Sequence, residues 1–147
     1  MKLTKLSFSD NHTAVEYNGM MFDLKTCFFL VSIDYDLVNQ EINMRWIKGF
    51  GDKVTKELPD ELLFEFSGVS FLKAQQRDLS QPYPMDEFLA YMGFMDSSKI
   101  EDFSDDFNSQ ADNSDSHLSM TFNSDFAIKF TAETMSLTTK LINPAAL

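Results

Sequence analysis

Short runs in which apolar and polar residues alternate recur along this chain, and they constrain its fold more than any other feature. Alternation at a period of two places every second side chain on one face of a β-strand, so that one face packs in a core. Residues that favour turns, such as Asn, Asp and Gly, separate the runs. The pattern predicts a mainly antiparallel β-sheet. The clearest runs contain Leu6 and Phe8, Val15 and Tyr17, Ile42, Met44 and Trp46, and Leu118, Met120 and Phe122.

Two hairpins are predicted in the first half of the chain. Asn18–Gly19 lies between two strand-like runs, and both residues tolerate the positive φ that a two-residue turn requires. A second hairpin is predicted from Thr26–Tyr35 and Glu41–Lys48. Thr26–Tyr35 is apolar on both faces, which favours a central strand buried on two sides.

Further strands are predicted at Glu61–Leu72 and in the last third of the chain. Gly68 interrupts the first of these runs and indicates a bulge or a bend. Alternation then resumes at His117–Phe122, Phe126–Phe130 and Met135–Leu141, which together predict a β-meander.

One principal helix is predicted near residues 84–95. Pro84 is favourable at a first helical position, and Met85, Phe88, Leu89 and Met92 follow a helical stripe. The predicted fold class is therefore α+β, a curved, mainly antiparallel sheet of about seven to nine strands with this helix packed on one face. At 147 residues, residues 1–147 are predicted to form a single domain.

Negative charge is concentrated in residues 101–116. The segment holds six acidic residues and no Lys or Arg, in a chain of net charge −11. Its low apolar content predicts a loop, and a mobile one. The overall charge disfavours binding to nucleic acid or to an anionic membrane, because phosphate groups would be repelled. The acidic residues are Glu101, Asp102, Asp105, Asp106, Asp112 and Asp115.

Metal and cofactor motifs are weak or missing. Asp106, Asn108, Gln110 and Asp112 have the first spacings of an EF-hand loop, but Ala111 and His117 occupy the positions of its Gly and bidentate Glu. His12, His117 and Asp115 with the lone Cys27 do not make a structural zinc set. No phosphate-binding glycine loop or nucleophile elbow occurs. We therefore predict no metal and no cofactor.

Signals for catalysis are equally sparse. Asp34 and Glu65 are carboxylates on apolar strands, which is one setting for an acid–base residue, although each would also suit the solvent face of its strand. Cys27 sits in an apolar run with no activating base nearby in the sequence, and a single cysteine excludes an intrachain disulfide. These observations favour a non-enzymatic protein and leave an unrecognised small enzyme as an alternative.

The composition favours a cytoplasmic binding protein that engages a basic protein partner. Small immunity proteins and inhibitors share this acidic, compact, motif-poor character, although no sequence motif links them to this chain. A ligand-binding β domain with a pocket lined by Phe and Met is an alternative, and a homodimer is compatible with the same features. No secretory signal or membrane-spanning run is predicted. The residues predicted to bind the partner are Asp102, Asp105, Asp106, Asp112, Asp115 and Tyr83.

Overall fold

The computed structural model describes residues 1–96 and 116–141, and within them the chain is almost entirely β-sheet. Strands account for about 57% of these residues, and no helix of seven or more residues is present among them, so the predicted α+β class is wrong. The elements are β1 (Lys2–Leu3), β2 (Leu6–Phe8), β3 (Ala14–Tyr17), β4 (Met20–Asp23), β5 (Phe28–Asp36), β6 (Glu41–Lys48), β7 (Glu61–Ser67), β8 (Phe71–Gln75), a 3₁₀ helix (Tyr83–Glu87), β9 (Leu89–Asp96), β10 (Ser116–Phe122), β11 (Ala127–Thr131) and β12 (Thr134–Lys140).

The described strands form three sheets. A five-stranded sheet has the order β1-β12-β7-β6-β5, a four-stranded sheet has the order β8-β11-β10-β9, and a three-stranded sheet has the order β2-β3-β4. All pairs are antiparallel except β1 with β12. The antiparallel arrangement predicted from the sequence is therefore confirmed, but it is divided among three sheets instead of one.

Aromatic side chains join the five-stranded and four-stranded sheets face to face. Trp46 of β6 stacks on Phe122 of β10 with ring centroids 6.3 Å apart, and Phe66 of β7 meets Phe130 of β11 edge-on at 4.7 Å. All four side chains are buried. Every second residue of each central strand enters this layer, as the alternation requires.

The three-stranded sheet packs beside the sandwich. Phe8 of β2 meets Phe94 of β9 edge-on at 5.2 Å, and Phe22 of β4 meets Phe28 of β5 at 6.0 Å. The predicted Asn18–Gly19 hairpin is confirmed, since these two residues join β3 to β4 with φ values of 51° and 81°. Local turn chemistry therefore fixed this register.

The hairpin of β5 and β6 is confirmed, but the prediction that Thr26–Tyr35 forms a central strand is wrong. β5 is the edge strand of the five-stranded sheet. The pairing with β6 shifts between Leu30 and Ser32, so the side chains on either side of this irregularity reverse their facing. Even-numbered apolar residues before the irregularity and odd-numbered ones after it therefore face the same core. In the sequence this pattern looks like that of a strand buried on both faces.

Gly68 marks a corner between sheets. β7 ends at Ser67 in the five-stranded sheet and β8 begins at Phe71 in the four-stranded sheet, so the predicted continuous strand Glu61–Leu72 is wrong. A second corner returns the chain: β12 follows β11 but pairs with β7, which overturns a simple C-terminal meander. The Glu133 N–H donates to the Ser67 carbonyl at 2.9 Å and holds the two corners together.

We expect Gly68→Ala to lower the free energy of unfolding by about 1–2 kcal/mol, because an L-residue is strained at positive φ. Gly68 has a φ of 69°, and an added Cβ would lie 2.6 Å from Cγ of Glu133. Gly49→Ala is the matched control, since its added Cβ would meet only ordinary contacts, the nearest at 3.6 Å. Urea unfolding followed by circular dichroism measures both variants. Equal stability of the two would contradict the corner described for Gly68.

The helix predicted near residues 84–95 is also wrong. Only the 3₁₀ helix Tyr83–Glu87 forms, and β9 occupies the rest of the segment. β9 pairs with β10 over most of its length, and Gly93, predicted as a helix stop, lies opposite Ser119 in that ladder. Pairing with a distant strand decides the conformation of a segment whose local pattern suits either structure.

The predicted loop at residues 101–116 lies outside the described residues, apart from Ser116 at the start of β10. Its mobility stays a prediction, and so does the single domain spanning residues 1–147. Within the described residues, no helix combines the length and the apolar content needed to cross a membrane.

Candidate functional site

The structure leaves most of the predicted partner-binding residues untested. Asp102, Asp105, Asp106, Asp112 and Asp115 lie outside the described residues. Tyr83 begins the 3₁₀ helix, but the description does not extend to its side chain. Two other groups of polar residues are described in full, one exposed and one buried.

The exposed group lies on the solvent face of the five-stranded sheet. Register places Asp36 opposite Glu41 and Asp34 opposite Asn43, and Asn43 in turn opposite Glu65. Asp34, Asp36 and Glu41 are exposed and Glu65 is half-buried. We call these four carboxylates the acidic face. Their nearest neighbours along the same rows are uncharged, namely Asn43, Ser67, Thr134 and Ser136, and Lys2 of β1 lies beyond Thr134 at the far end of one row.

No ion pair to the acidic face is present in the described part of the chain. Arg45 lies nearby, but its guanidinium is already bound to Glu61, with Nε 2.6 Å from Oε1. Asp36 and Glu41 face each other directly, and like charges directly opposite in a ladder destabilise it. This end of the sheet therefore retains a local negative field that folding does not require.

Asp36 is held in place by the turn that follows it. Its carboxylate accepts hydrogen bonds from the backbone N–H groups of Asn39 and Val38 at 3.1 and 3.0 Å, and from Nδ2 of Asn39 at 2.8 Å. The bonds from Asn39 are the main reason that the pKa of Asp36 lies below its usual value. Asp36 therefore serves the hairpin structurally, which makes Asp34, Glu41 and Glu65 the better residues for testing a binding role.

A groove runs along the free edge of β5, with a volume of about 320 Å³. We call it the edge groove. One wall is β5 from Leu30 to Ile33, and the other is formed by Asp86, Glu87 and Phe126. Arg77 already donates from Nε to both carboxylate oxygens of Asp86, at 2.8 and 2.9 Å. Glu87 is exposed, and no ion pair to it is present among the described residues.

Large apolar side chains are exposed along the same hairpin. Val31 is 46% exposed and Tyr35 is 38% exposed on β5, while Leu37 and Val38 in the turn are 74% and 90% exposed. Tyr is enriched at the centres of protein interfaces. Because Leu37 and Val38 follow Asp36 of the acidic face directly, the turn end of the β5 hairpin is the strongest candidate for a contact surface.

The buried group lies on the face of the four-stranded sheet that points away from the sandwich core. His117 and Ser119 of β10 and Lys129 of β11 are all buried, at 1%, 2% and 0% exposure. Ser119 lies directly opposite Lys129, and His117 lies two residues along β10 from Ser119. Alternation predicts this face to be solvent-exposed, so its burial is a departure from the sequence expectation.

His117 is uncharged at neutral pH. Burial, with the nearby Lys129 charge, lowers its pKa to about 4, and Asp96 opposes this shift only in part. Neither ring nitrogen has a hydrogen-bond partner in the described part of the chain. A buried imidazole without partners costs stability, which makes His117 unusual for a residue that serves only the fold.

The buried group has residue types found in catalysis, since Ser with Lys is one nucleophile–base pair. Neither Ser119 nor Lys129 is open to solvent, and a nucleophile must meet its substrate. Among the described residues, no three His, Cys, Asp or Glu side chains are placed to hold a metal ion. The geometry therefore supports burial of polar groups more than a reaction at them.

The other sequence candidates are dispersed. Asp34 and Glu65 lie on the solvent face of the sheet and not in an apolar cleft. His12 has a φ of 64° in the turn between β2 and β3, where its carbonyl accepts from the Met92 N–H at 2.8 Å. Cys27 is buried, with Sγ 3.7 Å from the Lys53 carbonyl oxygen. None of these four residues forms a catalytic group with another.

Sequence reasoning missed Lys129, Tyr35 and the grouping of Glu41 with Asp34. Lys129 lies between two apolar residues of β11, and the alternation predicts that its side chain faces solvent. The grouping of the acidic face depends on register, which three strands must fix together. Leu37 and Val38 did leave a signal, because two large apolar residues in a turn serve no local purpose.

No family model, no curated protein and no solved structure matches this chain.

Proposed function

We propose that this chain is a non-enzymatic, cytoplasmic binding protein that engages a basic protein partner through its acidic surface. The acidic face carries the proposal. Asp34, Glu41 and Glu65 lie in neighbouring rows of one open sheet face, and no ion pair to them is present among the described residues. The acidic residues at 101–116 and Tyr83 belong to the same proposal as further contact residues.

Electrostatics supports a basic partner in preference to other classes. The chain carries a net charge of −11, so long-range attraction speeds the approach of a cationic surface and opposes that of phosphates. Exposed Leu37 and Val38 lie in the turn that follows Asp36, whereas Tyr35 lies opposite Ile42 on the other face of the sheet. An interface at this end of the hairpin would therefore have apolar contacts as well as charges. Charge would set the rate and specificity of association, and the apolar residues would supply affinity.

We expect neutralisation of the acidic face, by Asp34→Asn, Glu41→Gln and Glu65→Gln together, to slow association with the partner about tenfold at low ionic strength. The slope of the on-rate against salt should also become flatter, because fewer charges steer the encounter. The immobilised chain captures partners from native cell extract, and the on-rate of each retained protein is then measured at several salt concentrations.

The matched control removes three exposed acids elsewhere, by Asp10→Asn, Glu16→Gln and Asp52→Asn, and so changes the net charge equally. A second variant neutralises Asp102, Asp105, Asp106 and Asp112. Equal on-rates for the control and the first variant would mean that net charge alone, and not the position of the acidic face, sets the rate of association. Capture of proteins that are not basic, unchanged in every variant, would overturn the proposed function.

A further inference from the structure

We infer that the partner contributes an extended basic segment that adds to the free edge of β5 as a sixth strand. This inference rests on the proposed function and names the contact that it would use. β5 spans nine residues and is the longest strand, yet one of its edges has no paired strand among the described residues. The backbone N–H and C=O groups of an unpaired edge are a template for another strand.

Other edges of the described sheets are less available. β1, β2, β4 and β8 have two, three, four and five residues, so each offers a shorter ladder than the nine residues of β5. β9 is long enough, but the Met92 N–H already donates to the His12 carbonyl of the neighbouring turn. β5 contains neither Lys nor Pro, which guard many edges, but it has the irregularity after Leu30 and the charges of Asp34 and Asp36. These features restrict an added strand to the stretch after the irregularity and to a cationic sequence.

The edge groove lies beside β5 from Leu30 to Ile33, where the added segment would begin. It follows β5 on one side and is bounded by the 3₁₀ helix and Phe126 on the other. Val31–Asp36, in which Ser32 and Ile33 are half-buried and the other four residues are exposed, extends about 20 Å at ~3.3 Å per residue. Over that length an added strand finds about three outward pairs of N–H and C=O groups, because alternate residues point to the free edge.

Charge selects the occupant. Glu87 on the helix wall and Asp34 on β5 favour Lys or Arg, and Asp86 is already bound to Arg77. Val31 and Phe126 offer an apolar contact to the alternate side chains of the segment. A second copy of this chain fits poorly, because two β5 edges would bring Asp34 and Asp36 against one another.

The test uses a capped ten-residue peptide of alternating lysine and valine with the full-length ¹⁵N-labelled chain. At saturation we expect amide hydrogen exchange to slow at least tenfold at the outward residues of Val31–Asp36. A peptide with glutamate in place of lysine should give no protection. A peptide N-methylated at alternate residues should bind at least tenfold more weakly, because one of its edges cannot donate hydrogen bonds.

Val31→Lys tests the groove within the protein, since it places a cation on the β5 wall. We expect it to weaken binding of the lysine–valine peptide at least tenfold, while Met21→Lys, which adds a cation at an exposed position of β4 outside the groove, stays within twofold. Equal binding by the two variants, or protection mapped away from β5, would overturn the inference. Concentration-dependent dimerisation that protects β5 without peptide would assign the edge to a second copy and overturn it equally.

The outcome separates this inference from the function on which it rests. One outcome is that neutralising Asp34, Glu41 and Glu65 reduces capture of basic proteins, while Val31→Lys leaves it unchanged. In that case the partner binds the sheet face, and the inference of strand addition is wrong while the proposed function stands. If neither the acidic-face variant nor Val31→Lys changes capture, the proposed function is wrong as well.

Discussion

Trp46→Ala should lower the free energy of unfolding by about 4 kcal/mol, the largest effect we expect from one substitution in this chain. Trp46 is fully buried, and its ring contacts Phe64 of its own sheet at 5.6 Å and Phe122 of the facing sheet at 6.3 Å. Removing the indole leaves a cavity where the two sheets meet. The neighbouring strands cannot close it without breaking their own ladders.

Two further variants make this prediction specific. The indole Nε1 has no hydrogen-bond partner among the described residues, so Trp46→Phe loses volume but also removes an unpaired donor. We expect it to cost about 1–2 kcal/mol, well below the alanine variant. Phe50→Ala is the matched control for loss of an aromatic ring, because Phe50 is 97% exposed, and its cost should stay below about 0.5 kcal/mol.

Urea unfolding of these variants must be followed by circular dichroism, because Trp46 is the only tryptophan and its fluorescence disappears with it. A cost for Trp46→Ala near that of Phe50→Ala would mean that the five-stranded and four-stranded sheets do not pack through this ring. The sandwich arrangement on which the acidic face and the edge groove depend would then need revision.

Local signals in the sequence were sufficient for the hairpins. Asn18–Gly19 specifies its own turn through two residues that accept positive φ, and no distant contact is needed. The alternating residues of β6 and β10 likewise predicted which side chains enter the core. Antiparallel pairing between strands that are neighbours in sequence is therefore the part of this fold that can be predicted from the sequence alone.

Features that depend on distant contacts were predicted poorly. The residues from Leu89 to Met92 fit a helical stripe, but β10 needs a partner along its edge, and pairing with it outweighs a weak local preference. The irregular pairing after Leu30 is equally invisible in the sequence, because a run of apolar residues reads the same with or without a bulge.

The candidate site shows the same division. Asp34 and Glu65 were recognised separately as carboxylates on apolar strands. They are far apart in the sequence, so it does not show that they lie on either side of Asn43 in the sheet. Only register unites them, and it changes their meaning from isolated acid–base candidates to part of a charged surface. The edge groove also requires the 3₁₀ helix to fold back on β5, which no local pattern encodes.

The buried His117 should make the fold less stable in mild acid. Its pKa is lowered to about 4 in the folded chain, from 6.5 for an unperturbed histidine, mainly because burial disfavours the charged ring. Between these values the unfolded chain binds the proton more readily. The contribution of neutral His117 to the free energy of unfolding is therefore present above pH 6.5 and is lost as the pH falls towards 4. The loss is about 2 kcal/mol between pH 7.5 and pH 5.

His117→Leu isolates this contribution, because leucine fills part of the same space without a titrating group. The free energy of unfolding of wild type minus that of the variant should fall by about 2 kcal/mol between pH 7.5 and pH 5, while carboxylates common to both cancel. His12→Asn is the matched control: it removes the other histidine, at a positive φ that Asn tolerates, and the loss should persist in it.

A difference between wild type and His117→Leu that does not change with pH would mean that water reaches the His117 ring. An accessible imidazole beside Ser119 and Lys129 would then have the solvent contact that a general base needs, and the four-stranded sheet would become the leading candidate for an active site. The expected loss of stability would instead establish that this polar face is closed. In that case binding at the exposed acidic face remains the better supported function.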